Sequence, residues 1–256
     1  MDEVRLERDG LIATVTLARV AKLHALTAAM LDALEAFARE LDADPQVRIV
    51  ILTAEGDKAF CVGADILEWS ALEPLDMWRR WTRRGHQVFD RWARLRQPVI
   101  AAINGHAFGG GLELAITADI RLAVEGAQFA LPEASIATCP GWSGTQRLVR
   151  LIGASRAKYL ALSGRRLNAT QALAAGLVHE VVSSAALPEA ARALAAEMAG
   201  RAPVAVQLTK QLVNASSGEE TGTIEGIAGA LSAFTSDAAE GLASFKERRA
   251  PAYTGK

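Results

Sequence analysis

The sequence is short of the features that define several large protein classes. Only two of its 256 residues are cysteine, Cys61 and Cys139, too few for a disulfide framework and without the paired spacing of a zinc site. Free thiols point to a reducing compartment. Neither sign of charge prevails: 28 Lys and Arg against 29 Asp and Glu leave a net charge of -1. No global field therefore draws in nucleic acid or an anionic membrane, and any anionic ligand has to be met by local charge. The opening "MDEVRLERDG" has no apolar signal-peptide core, and no run of about 18 apolar residues occurs anywhere. A cytoplasmic location is expected. Repeats, low-complexity tracts and linkers are missing too, so nothing marks a second independent domain.

Three common motifs are also absent. A dinucleotide fingerprint fails because the sixth position counted from Gly109 is Leu114. A phosphate P-loop fails because Gly110 is followed by Gly111-Leu112, without Lys-Ser/Thr. The nucleophile elbow G-x-S-x-G is approached at Gly141-Trp142-Ser143, but Gly144 arrives one place early. Hydride, nucleotide and serine-hydrolase chemistry lose their usual signatures.

What is present is a half-apolar chain, enough for a sizeable core, in which strand and helix patterns alternate. "VRLER" and "LIATVTLA" flank the turn pair Asp9-Gly10 as a hairpin. From Thr27, a candidate N-cap, "AAMLDALEAFARELD" has helical periodicity up to Pro45. "VRIVILTA" and "PVIAAING" look like buried strands, separated by a Trp-rich, partly helical stretch over 66–95. A helix ending near Asp119, short strands in "IRLAV" and "QFALP", a Gly- and Ser-rich loop and helices to about residue 163 follow. From about residue 187 only helical signal remains. The alternation gives an α/β class with a helical tail.

The densest signal is "GHAFGGGLELA", three glycines between a buried strand and a helix bearing Glu113. Glycine lets a ligand approach the backbone, and the first N–H groups of a helix have no internal partner and favour negative charge. That is half of an oxyanion hole. Tight strand-to-helix packing with a solvated Glu113 explains the glycines equally well. In "AFCVGADI" the run Gly63-Ala64-Asp65 follows a strand and offers a second N–H, and Glu133 follows Pro132 at a loop entry. Apolar neighbours of both glutamates are expected to raise their pKa values toward the range useful for proton transfer.

Together, "RVAKLHALTAAM", "FCVGADI", "PVIAAINGHAFGGGLELAITADI", "FALPE", "PGWSGTQRL", "LSGRRLNATQALAAGLVHEVV" and "FKERRAPAYTGK" resemble the crotonase family, the enoyl-CoA hydratase and isomerase superfamily, over almost the whole chain. Val20 and His24 stand where proline and asparagine are usual. The resemblance implies a crotonase fold of repeated ββα units over 1–186 and a helical region over 187–256 for oligomerisation and CoA contact. It implies an acyl-CoA thioester as substrate with no separate cofactor or metal, and a homotrimer or dimer of trimers.

By the same resemblance, the thioester oxygen lies between the N–H groups of Ala64 and Gly110. Glu113 activates water at C3 and Glu133 delivers a proton to C2, which makes hydration of a 2-enoyl-CoA the expected reaction. A double-bond isomerase or a non-catalytic acyl-CoA-binding member are the alternatives. Lys22, Ala64, Asp65, Ile66, Gly109, Gly110, Gly141, Trp142 and Lys246 match substrate-binding positions. Gly144 lies in the same loop as Gly141, where a backbone N–H can support substrate or water. Arg19, Lys22, Lys246, Arg248 and Arg249 are candidates for the CoA phosphates. Asp65 and His106 are expected chiefly in structural hydrogen bonds, Cys61 and Cys139 in packing, and Trp78 and Trp81 in the core or an oligomer contact. Trp142 stands where small residues are usual, and if it lines the pocket the acyl group is short, branched or aromatic.

Overall fold

The computed structural model describes residues 3–216 and 221–256. Strands β1 (Val4–Asp9) and β2 (Ile12–Leu17) form the expected hairpin. Helix α1 (Ala28–Ala43) starts where Thr27 accepts a hydrogen bond from Met30 N, as an N-cap should. The next six strands alternate between two sheets. β3 (Ile49–Ala54), β5 (Val99–Ile103) and β7 (Ile120–Val124) join the larger sheet, in the order β1-β2-β3-β5-β7. β4 (Ala59–Cys61), β6 (His106–Phe108) and β8 (Gln128–Ala130) form a smaller one. Each turn of the chain thus adds one strand to each sheet, and the pairings β3–β5, β5–β7, β4–β6 and β6–β8 are all parallel.

The stretch between β4 and β5 is broken: α2 (Ile66–Trp69), α3 (Pro74–Asp76), a π-helical turn at Met77–Thr82 and α4 (Arg83–Ala93). Helix α5 (Gly110–Ala115) is shorter than its sequence suggests. It ends before Asp119 because Thr117 Oγ1 bonds back to the Leu114 carbonyl at 2.7 Å. Asp119 then turns its carboxylate to Val99 N at 2.7 Å and to Lys210 Nζ at 2.8 Å. Helix α6 (Gly144–Ser163) is interrupted at Gly153, φ 80°. Beyond it lie β9 (Leu167–Asn168), α7 (Ala169–Ala174) and β10 (Glu180–Val182), which the sequence pattern did not single out. β9 extends the small sheet beside β8, and β10 closes the large sheet beside β7.

The tail comprises α8 (Leu187–Ala199), α9 (Pro203–Ala215), α10 (Thr221–Ala233) and α11 (Ser236–Glu247). It is not detached from the α/β part. Leu187, Ala191, Ala195 and Ala199 of α8 belong to the same buried cluster as β3 and β5. Arg48 reaches the carbonyls of Ala199 and Tyr253 at 3.0 and 2.8 Å. Lys210 of α9, buried, also donates to Gln97 O at 2.9 Å. The change at residue 187 is therefore one of secondary structure within a shared core.

One packing expectation fails: Cys139 is exposed, on a loop that leaves its side chain outside the core. Of the two tryptophans in the π-helical turn, Trp81 is buried in the core, whereas Trp78 is 60% exposed, which leaves an oligomer contact as its expected role. Cys61 is buried as expected, its Sγ donating to His24 O at 3.0 Å. Among the described residues no helix is long and apolar enough to cross a membrane.

Candidate active site

Three neighbouring strand exits build the site. Parallel pairing of β4 with β6, and of β6 with β8, makes the segments after Cys61, Phe108 and Ala130 leave the small sheet side by side. A methyl group at Gly63 would lie 3.4 Å from Gly110 N, and one at Gly110 would lie 3.5 Å from Ala64 N. Ala64 and Gly110, distant in sequence, are thereby neighbours.

Their amides are also free. The loop over residues 19–26 bridges the Gly63 loop: Leu26 N donates to Gly63 O and Asp65 N donates to Leu26 O, both at 2.8 Å. In a parallel bridge this leaves the intervening Ala64 N–H pointing the other way. Gly110 N opens α5, where no preceding turn can accept from it. Among the described residues neither N–H donates a hydrogen bond.

The three glycines serve different purposes. At Gly111 a methyl group would stand 2.0 Å from Cys61 O, so its absence permits tight packing of α5 on β4. Gly109 has φ 52° and ψ −128°, a conformation costly for other residues, and a methyl group there would meet Glu133 Oε1 at 2.8 Å. At Gly110 it would meet the Trp142 six-membered ring at 2.8 Å.

Glu113 is not solvated; it is 2% exposed. Its Oε1 accepts from Trp142 N at 2.9 Å and from Gly144 N at 2.8 Å. Burial raises its pKa, opposed by the Trp142, Gly144 and Gly141 amides and by the Arg147 charge. Glu133 is partly buried and its Oε2 is enclosed without a hydrogen-bond partner. Burial pushes its pKa up to about 7; its own amide opposes this, and the Glu113 charge adds to it. The two carboxyls thus differ in how far their ionised forms are supported.

The Gly141–Gly144 loop turns its amides to Glu113; they were expected to support substrate or water. Trp142 is buried, packed on Trp81 (ring centroids 5.5 Å apart) and Phe89 (5.2 Å), with its indole nitrogen filling the space a side chain at Gly85 would need. Asp65 caps α2 through Leu67 N at 3.0 Å and pairs with Arg19 at 2.6 Å, which holds its pKa below the usual range. Arg19 also binds Glu3 and Ala25 O, so it is a strut between loops and not a free cation for phosphate. His106 is half-buried and stacks on Phe108 at 5.3 Å.

Lys22 and Ile66 lie exposed at the ends of the two bridged loops. Lys246 and Arg248 are exposed at the end of α11, and Arg249 pairs with Glu240 and Glu247. None of these three basic residues touches Glu113 or Glu133. His24 is buried with φ 57°, in the left-handed region that asparagine tolerates well, and its ring bonds Glu55 O at 2.9 Å. Sequence inspection did not anticipate that the Trp142 and Gly144 amides clamp Glu113, nor a side-chain network through His86, Ser143 and Asp90. Residues so far apart in sequence carry no local signature of meeting.

The enoyl-CoA hydratase/isomerase family model matches residues 7–256. A short-chain-enoyl-CoA hydratase of Clostridium acetobutylicum is 41% identical over 214 residues, 84% of this chain and 82% of that protein. An (E)-benzylidenesuccinyl-CoA hydratase of Thauera aromatica is 38% identical, covering 98% of this chain and 99% of its own. The crystal structure of an enoyl-CoA hydratase from Bacillus anthracis superposes with a TM-score of 0.96 at 36% identity, covering both chains completely. With its strand exits, free amides and paired glutamates in this order, the chain belongs to the enoyl-CoA hydratase/isomerase family.

Proposed function

We propose that this protein is an enoyl-CoA hydratase that reversibly adds water, syn, across the double bond of a 2-enoyl-CoA. The observation that carries the proposal is the pair of carboxyls, Glu113 buried and Glu133 partly buried, beside two free amides. The thioester oxygen accepts from Ala64 N and Gly110 N. Negative charge grows there as water attacks C3, and donors already aimed at it need no reorganisation; in other enzymes one such donor is worth about 3–4 kcal/mol.

Glu113 is the base. Its carboxylate is supported by the Trp142 and Gly144 amides, which leaves the second oxygen to orient and deprotonate water. Glu133, whose pKa of about 7 keeps a proton available near neutrality, protonates C2. In reverse the roles exchange. The relatives named hydratases support the same reaction. The chemistry needs no cofactor or metal beyond the CoA thioester itself. Lys22, Ile66, Gly109, Gly141, Trp142 and Lys246 complete the proposed substrate contacts, Asp65 acting through the Ala64 loop, and two unpaired thiols support a cytoplasmic setting.

The partner is a second and third copy of this chain, as a trimer or dimer of trimers. Support comes from Phe234 and Phe245, 89% and 83% exposed after α10 and on α11, a costly display for a monomer. Light scattering is expected to give three or six times the 27.1 kDa chain mass; a monomer mass overturns this.

Hydration of crotonyl-CoA, followed by loss of the enoyl thioester absorbance, is expected to fall by about 10²- to 10⁴-fold in both Glu113→Gln and Glu133→Gln, with folding and thioester binding retained. Full hydration by either variant defeats the two-carboxylate mechanism, and turnover of a 3-enoyl-CoA without hydration would mark an isomerase.

Stability gives a check independent of turnover. The Glu133 pKa rises from 4.5 to about 7 on folding, so its contribution is fully present below about 4.5 and is lost as pH rises through about 7. Thermal unfolding should show a smaller drop in Tm from about pH 5 to about pH 8 in Glu133→Gln than in the wild type. Equal drops would contradict the burial assigned to this carboxyl.

A further inference from the structure

Ser143 stands between the two residues whose amides hold Glu113, and its own conformation is unusual. It has φ 72° and ψ 9°, left-handed backbone that serine rarely adopts, yet it is only 6% exposed. It precedes α6 without capping it: its side chain makes no bond to the helix N-terminus. Instead the hydroxyl turns to α4. Oγ lies 2.8 Å from His86 Nδ1, 3.2 Å from His86 Nε2 and 3.4 Å from Asp90 Oδ1. His86 Nε2 is 3.4 Å from Asp90 Oδ2, and Arg147, in the first turn of α6, binds Asp90 Oδ1 at 2.6 Å. A second arm of Arg147, Nη1, is buried without a partner.

Serine, histidine and aspartate in contact suggest a hydrolytic triad, but the geometry excludes it. Oγ faces the ring edge between both nitrogens, where a single proton acceptor is not singled out. The flanking amides, Trp142 N and Gly144 N, which a tetrahedral intermediate would need, are already donated to Glu113 Oε1. What the contacts do is tie the C-terminal end of the 141–144 loop and the first turn of α6 to α4, through one hydroxyl and one ion pair.

We propose that Ser143, His86 and Asp90 are positioning residues for the base: they lock the left-handed turn that aims the Trp142 and Gly144 amides at Glu113. The role rests on the hydration reaction assigned to Glu113 above. Strain at Ser143 is tolerated because its hydroxyl has partners on α4 that a glycine, the residue suited to that backbone, would not reach. Freed of these contacts the loop relaxes, the amides retreat from Oε1, and the Glu113 carboxylate loses donors that favour its ionised form. Of the charged groups nearby, Arg147 favours the ionised form of Glu113, and the Glu113 charge in turn raises the pKa of Glu133.

The test compares Ser143→Ala, Ser143→Gly and His86→Ala in the full-length protein with crotonyl-CoA. Ser143→Ala and His86→Ala are expected to lower kcat by about tenfold or more, the scale on which small misplacements act, with KM little changed because the Ala64 and Gly110 amides are untouched. The acid limb of the kcat profile should move to higher pH. Ser143→Gly, which relieves the backbone strain, should fall between Ser143→Ala and the wild type, and the double variant Ser143→Ala with His86→Ala should lose no more than either single one. Wild-type kcat and acid limb in His86→Ala and Ser143→Gly, or losses that multiply in the double variant, overturn the proposal, even if Ser143→Ala fails to fold. Carbon-13 NMR titration of the Glu113 carboxyl, identified by its absence in Glu113→Gln, separates the two ideas. A higher Glu113 pKa in His86→Ala supports the positioning role even if the wild type hydrates nothing, and an unchanged one refutes it whatever the wild type catalyses.

Discussion

Parallel pairing of three short strands is the constraint on which the site depends. β4, β6 and β8 are each three residues long, and alone they would be negligible. Held in register by the spiral of the chain, they release three loops from one edge in the same direction. The first loop carries Ala64, the second Gly110 and Glu113, the third Glu133. No helix or hairpin could bring these four residues together through local geometry. Glycine makes the approach feasible, since a side chain at Gly111 would collide with the Cys61 carbonyl and one at Gly109 with the Glu133 carboxyl.

A buried and a partly buried carboxyl in one site repel each other and resist ionisation, and the protein resolves this unequally. Glu113 faces the start of α6, where the Gly144 amide, the helix dipole and Arg147 all favour negative charge. Glu133 has one oxygen enclosed without a donor, and burial together with the Glu113 charge raises its pKa to about 7. Unequal support of otherwise identical groups is the basis of the proposed acid and base roles, with no change of residue type. The cost is borne by the remaining fold, chiefly the apolar core under both sheets.

Much of this was legible in the sequence where the cause is local. The Asp9-Gly10 turn, the Thr27 cap and the glycine run before Glu113 each follow from neighbouring residues, and each stands as expected. Sequence reading went astray where a distant partner decides. Helix α5 stops early where Thr117 bonds back to the Leu114 carbonyl, and Asp119 beyond it serves β5 and Lys210 instead of the helix. Arg19 resembles a phosphate ligand until Asp65 and Glu3 are placed beside it. Trp78 and Trp81 look equivalent in "MWRRWT", and only the π-helical turn separates the exposed one from the buried one. Ser143 shows no signal in sequence, because its left-handed backbone and its contacts with His86 exist only once α4 and the 141–144 loop meet.

The most direct measurement is a crystal structure of the protein with butyryl-CoA, a saturated thioester that cannot be hydrated. The expected result puts the thioester oxygen about 2.7–3.1 Å from both Ala64 N and Gly110 N, with the Glu113 and Glu133 carboxyls facing the second and third acyl carbons. An acyl group bound elsewhere, or an oxygen directed to solvent while both amides remain empty, would contradict it.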